Sequence, residues 1–209
     1  MELDPRTTAV VAIHCQGDVV GPTGALAGMF HQQVRHRNVL SRIADLLDAG
    51  RRAGCTTIFT RIAFAPDYSD LVPNSPILAD IPVLGCMQDG SNAAEIVDEV
   101  GLQSADIVIT HKRVGGFSER MSLELTSRGI TTVLFCGVAT NVSVESTARV
   151  ATDLGYRVVI VEDACSAATL DVHNAAVASL GALASITSVD DVRAALNESV
   201  APPSVQHTP

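Results

Sequence analysis

Residues 131–149 read TTVLFCGVATNVSVESTAR. Positions 131–135 are β-branched or apolar with no polar alternation, the pattern of a strand covered on both faces. The run breaks at Gly137 and turns helical, with small residues and Glu145 near the helix start. A strand, a tight turn and a helix N-terminus follow in succession. Unpaired N–H groups and a partial positive charge at a helix N-terminus face whatever lies before it, so Ser143 sits where an anion or a developing oxyanion is stabilised. Thr140, Asn141 and Ser143 are also the residue types that cap helices, so this stretch alone defines a structural unit and not yet a site.

Outward from this unit the same alternation of strand and helix repeats. Upstream, residues 7–13 (TTAVVAI) form a continuous apolar run that ends at His14-Cys15-Gln16-Gly17-Asp18. In open α/β sheets ligands bind beyond the carboxyl ends of the strands, which places His14 at a site-forming position. A loop over 21–28 leads to a helical stretch predicted over 30–53, where Val34, Val39, Ile43, Leu46 and Leu47 recur at helical spacing and Gly54 ends the element. His31 and His36 are five apart and do not share a helix face as a metal pair would. Residues 55–63 read as a second strand, and the Pro/Asp/Ser-rich segment 66–82 as a lid or binding loop. A short helix over 91–100 and a third strand over 105–110 follow. That strand exits at His111, Lys112, Arg113, Val114, Gly115, Gly116 and Phe117, where the glycines let the backbone approach a ligand and Phe117 walls a pocket.

A helix over 118–128 delivers the chain to the opening unit. Beyond it lie a fifth strand over 156–161 with Glu162-Asp163 at its exit, a helix over 170–184, a weak sixth strand over 185–189 and a helix ending near 198. The Pro/Ser-rich tail, 199–209, is expected to be disordered. Strands alternating with helices predict one three-layer α/β/α domain over 1–198, built on a parallel sheet.

The 209 residues suffice for one sizeable core, and 47% of them are hydrophobic. Fourteen Lys and Arg against 23 Asp and Glu give a net charge of −9, which argues against nucleic acid as a partner. The N-terminus lacks a basic region followed by an apolar one, and no apolar run reaches membrane-span length, so no membrane association and a cytoplasmic location are expected. Five scattered cysteines, an odd number, suggest neither a disulfide framework nor a CxxC metal site.

Three strand exits, carrying His14, His111-Lys112 and Ser143, fall on one edge of one sheet. At these positions the chain resembles the isochorismatase-like, or cysteine hydrolase, superfamily. Residues 137–168, GVATNVSVESTARVATDLGYRVVIVEDACSAA, resemble the family block GVATNVCVESTARDA…DLGY…VVEDAC. Residues 9–18 are similar to its first strand, ALLVIDMQND, and 113–117 to its R-x-S-A-F segment. The resemblance implies a six-stranded parallel sheet in the order 3-2-1-4-5-6, a homo-oligomer (dimer or tetramer), a small-molecule substrate and an Asp/Lys/Cys triad. It further implies a cis peptide between Val138 and Ala139 that shapes an oxyanion hole. Gln16, Arg113, Phe117, Val138, Ala139 and Thr140 are the surrounding oxyanion and pocket positions.

The triad itself departs from the pattern. His14 stands where the family has aspartate, Ser143 where it has cysteine, and His111 at the lysine position, with Lys112 one residue later. Metal-dependent nicotinamidases of the family carry Asp-x-His after the second strand; residues 60–64 contain no such pair, so no metal and no cofactor are expected. A serine hydroxyl needs a base to take its proton, and histidine is its usual partner, with positive charge at Lys112 or His111 holding His14 neutral. The paired replacements therefore suggest a Ser143/His14 acyl-transfer hydrolase acting on an amide or ester. Two alternatives stand beside it: non-covalent hydrolysis of a vinyl ether with protonated His14 or His111 as acid, and a small-molecule-binding or scaffold protein that kept the fold and lost the reaction.

Overall fold

The computed structural model describes residues 1–200, with side chains through Ser199. Residues 201–209, most of the tail expected to be disordered, lie outside the described residues.

Six strands form the predicted sheet: β1 (Thr8–Ile13), β2 (Thr56–Ile62), β3 (Ile107–His111), β4 (Thr132–Val138), β5 (Arg157–Ser166) and β6 (Ser185–Thr187). All neighbours pair in parallel, in the order β3-β2-β1-β4-β5-β6, with helices on both faces in a three-layer α/β/α arrangement. Every residue of β1 and β4 is buried, as their unalternating apolar sequence requires. Val10, Val11, Ile13, Leu134, Phe135 and Ile160 have no exposed surface, and burying each such side chain contributes roughly 1.5–3 kcal/mol. The winding direction reverses between β1 and β4, and a crevice opens at such a point beyond the carboxyl ends of the strands. His14 follows β1 and Ser143 follows β4, so topology alone brings these two together.

Gly137 fixes the closeness of that approach. It pairs with Ile13 across the switch point at φ 119°, and a Cβ there would lie 2.1 Å from the Ile13 carbonyl oxygen. Only glycine permits both the angle and the contact.

Several boundaries differ from the sequence reading. The helix expected over 30–53 is two, α2 (Ala27–His36) and α3 (Val39–Ala53), after a four-residue turn α1 (Gly17–Val20). Asn38 separates them in the left-handed region at φ 53°, which asparagine tolerates better than most residues. The five-residue step from Val34 to Val39, read above as helical spacing, spans this junction, and both side chains are buried. The segment 66–82 contains the start of a helix, α4 (Pro76–Leu84), that periodicity could not reveal: its sequence, PILADIPVL, is apolar on nearly every side. Residues 91–100 form two 3-10 turns, Asn92–Ala94 and Asp98–Val100, in place of one helix. β5 continues past the acidic pair to Ser166, because a register shift lets Cys165 and Ser166 pair with Gly137 and Val138. The remaining helices are α5 (Glu119–Ser127), α6 (Glu145–Asp153), α7 (Leu170–Leu180) and α8 (Val189–Val200). Among the described residues no helix is long and apolar enough to cross a membrane.

Candidate active site

His14 leaves β1 in the left-handed region at φ 51°, a conformation that costs a non-glycine residue roughly 1–3 kcal/mol and that concentrates at functional sites. Its N–H donates to the Thr60 carbonyl at 3.1 Å. Its Nε2 lies 2.9 Å from Nε2 of His111, which closes β3 opposite Ile62, and the two rings stack at 5.0 Å between centroids. One imidazole must donate and the other accept, so at this distance the two rings are not both protonated. Both side chains are buried, His14 4% and His111 7% exposed. Burial, and then the field of His111, holds His14 well below the ordinary histidine value. Burial pulls His111 down to about 4. Its Nδ1 is buried with no hydrogen-bond partner among the described residues, and the nearby Arg113 backbone, outside bonding geometry, offsets only part of that effect.

Ser143 sits in a π-turn, Thr140–Val144, that precedes α6. The Ala139 carbonyl accepts from the N–H groups of Val142 and Val144, both at 3.1 Å, and passes over that of Ser143. The helical partner of the Ser143 N–H is thereby removed, and π-turns of this kind recur at functional sites. The Val138–Ala139 peptide is cis, as the family resemblance implied. The Ser143 hydroxyl makes no hydrogen bond among the described residues; only its carbonyl is engaged, accepting from Thr147 Oγ1 at 2.6 Å.

His14 and Ser143 line one cavity of about 50 Å³. No hydrogen bond joins them: His14 Nε2 is committed to His111, which leaves Nδ1 as the ring nitrogen free to serve the cavity. The remaining walls are apolar and come from Val19, Leu26 and Phe30 near the first two helices, Ile77, Leu78 and Ile81 of α4, and Ile62, Met87, Val114, Val138, Ala139 and Val142.

The isochorismatase domain model matches residues 8–191. The chain belongs to the isochorismatase family. YecD, an uncharacterized isochorismatase family protein of Escherichia coli O157:H7, is 32% identical over 94% of this chain and 100% of its own length. The ureidoacrylate amidohydrolase RutB of Azorhizobium caulinodans is 33% identical over 75% of each chain. The crystal structure of a cysteine hydrolase from Pseudomonas syringae pv. phaseolicola 1448A shares the fold, with a TM-score of 0.86 over 95% of this chain and 96% of its own at 22% identity.

This isochorismatase-family hydrolase distributes its other expected site residues differently from the sequence reading. Lys112 is turned out of the cavity, its ammonium paired with Asp70. Successive residues of an extended strand point to opposite sides, and β3 delivers His111, not Lys112, to His14. Burial rather than a neighbouring ammonium is therefore the main cause of His14 neutrality. Gln16 is fully buried but serves the backbone: its amide donates to the carbonyls of Ile62 (2.9 Å) and Ala94 (2.6 Å), and its oxygen accepts from the Ile62 N–H at 2.8 Å. Arg113 is exposed and donates to the Lys112 carbonyl at 3.0 Å. Phe117 packs on Tyr156, away from the cavity lining. Gly115 and Gly116 admit protein, not ligand: Cβ atoms there would meet Ser146 Cβ and Thr60 Oγ1, each at 3.1 Å. None of the five buried cysteines lines the cavity, and burial raises Cys15 to about 12 and Cys55 and Cys86 to about 11, so none offers a thiolate.

Thr140 belongs to a buried network behind the turn. Its hydroxyl lies 2.8 Å from His173 Nδ1, while His173 Nε2 lies 3.0 Å from Arg37 Nη2 and 3.2 Å from Glu162 Oε2. Arg37 also donates to the carbonyls of Glu162 (3.0 Å) and Cys165 (3.3 Å), tying the α2–α3 junction to β5. Burial first, then Arg37, lowers His173, with Glu162 opposing. Glu162 stands out in the sequence at its strand exit, whereas nothing in the stretches 35–38 and 171–174 marks Arg37 or His173 as the members that turn inward.

Proposed function

We propose that this isochorismatase-family hydrolase cleaves the C–N or C–O bond of a small amide or ester by acyl transfer through Ser143, with His14 as base. The observation that carries the reading is the shared cavity: a serine with an unengaged hydroxyl and a released N–H, facing the same space as a neutral histidine. Ser143 Oγ attacks the carbonyl carbon as its proton passes to His14. The oxyanion is met by the Ser143 N–H that the π-turn releases, and the leaving amine or alcohol departs with the proton from His14. Water then attacks the acyl-serine, His14 takes its proton, and the acid is released.

His111 accepts from the His14 Nε2–H and so leaves the Nδ1 lone pair of His14 toward the cavity, the part a carboxylate plays in serine triads, here without a charge. A base held below its ordinary value is weaker but stays deprotonated across the neutral range. The same burial weighs against vinyl-ether protonation, which requires a protonated His14 or His111. The amidohydrolase among the relatives supports an amide as the bond type.

Steady-state turnover of small amides and esters by wild type and Ser143→Ala tests the reading. A fall in kcat/KM of at least about 1,000-fold is expected, and an unchanged kcat/KM overturns the covalent mechanism.

A further inference from the structure

We infer that the cavity selects an uncharged acyl group of about two to four carbons and excludes substrates bearing a carboxylate or an ammonium beside the scissile bond. This inference rests on the reading that Ser143 and His14 face the reacting carbonyl.

Among the described residues lining the cavity only His14 and Ser143 have polar side chains, and His14 is paired with another neutral imidazole. The two cations that follow His111, and Arg37 behind the turn, are engaged elsewhere. Lys112 is on Asp70, Arg113 on the Lys112 carbonyl and Arg37 on Glu162. The buried carboxylate of Asp18 accepts from the Met87 N–H at 2.8 Å. An ionised substrate group would enter an apolar space with no counter-charge, and its lost hydration would have nothing to replace it. The ureidoacrylate in the name of the Azorhizobium relative is such an anion; this cavity offers it no cationic partner.

Size is the second constraint. The cavity measures about 50 Å³, against about 150 Å³ for an apolar cavity that takes benzene. A short aliphatic chain fits and an aromatic ring does not. The far wall is α4, whose Ile77, Leu78 and Ile81 set the depth. Ile77 is only partly buried, so shortening it deepens the cavity without opening the core.

Binding to the Ser143→Ala protein separates selection from turnover. Ligand-observed NMR with acetamide, propionamide and butyramide is expected to show affinity rising about fourfold per methylene. Hexanamide should bind more weakly than butyramide, and succinamate and β-alaninamide at least about 100-fold more weakly. Ile77→Ala should move the optimum to a longer chain. Succinamate or β-alaninamide binding as well as butyramide overturns the inference, as does affinity that keeps rising to hexanamide or the absence of binding by every neutral amide. Wild-type turnover is read separately: the expected binding order with no turnover preserves the selectivity and sinks the Ser143 mechanism. Ser143-dependent turnover of succinamate in preference to butyramide does the reverse.

Discussion

Acidification from pH 7 to pH 5 should destabilise this protein through the His14–His111 pair. In the unfolded chain a histidine protonates near 6.5, whereas folded His111 holds off protonation until about 4. Between those values the unfolded state binds the extra proton, so stability is full above about 6.5 and falls by about 1.4 kcal/mol per pH unit as pH drops. At pH 5 the loss from His111 alone is about 2 kcal/mol, and His14, lowered by burial and then by His111, adds a loss of the same sign. For a chain of this size about 2 kcal/mol corresponds to roughly 4–8 °C in Tm. The assay is thermal unfolding by circular dichroism at pH 7, 6 and 5 for wild type, His111→Asn and His14→Asn. Asparagine is chosen because it tolerates the left-handed backbone at position 14. His173 and the carboxylates titrate equally in all three proteins and cancel in the difference. The stability gap between wild type and His111→Asn should move by about 2 kcal/mol in the variant's favour on going to pH 5. Parallel pH profiles would refute the assignment of a neutral buried pair.

Three further outcomes follow from the geometry. Gln16→Leu strands three backbone groups that the amide now satisfies and should cost about 3 kcal/mol or more in urea unfolding; a loss under about 1 kcal/mol would return Gln16 to the pocket. Gly137→Ala forces a Cβ into the Ile13 carbonyl at a φ of 119° and should cost at least about 3 kcal/mol, read from the same transition; near-wild-type stability would contradict the close crossing of β1 and β4. Lys112→Ala breaks only a half-exposed ion pair, so kcat/KM should stay within about twofold; a loss of about 100-fold would place the ammonium in the site after all.

The sheet was legible because β1 and β4 are covered on both faces, and continuous apolar runs such as TTAVVAI have no other economical fate. The same reading set His14, His111 and Ser143 on one edge, since strand exits in a parallel sheet share an edge. Side-chain direction was less accessible. That His14 would pair with His111 instead of Ser143 depends on a left-handed backbone at one residue, which no periodicity encodes. Lys112 could be excluded from strand alternation, but its partner Asp70 lies in a segment with no pattern to read. Polarity misled at Gln16, where an amide at a strand exit proved to be a backbone clamp. The cavity wall on α4 stayed hidden for the opposite reason: a helix with one face on a cavity and Val83, at 86% exposure, on the other carries no amphipathic signal.

Acyl transfer at this site requires an activated serine at position 143. Intact-protein mass spectrometry after exposure to a small fluorophosphonate tests it most directly, with His14→Asn beside wild type. One adduct per chain is expected, located at Ser143 by peptide mapping and lost in the His14 variant. Absence of labelling at Ser143 in wild type, or equal labelling in the two proteins, would contradict it.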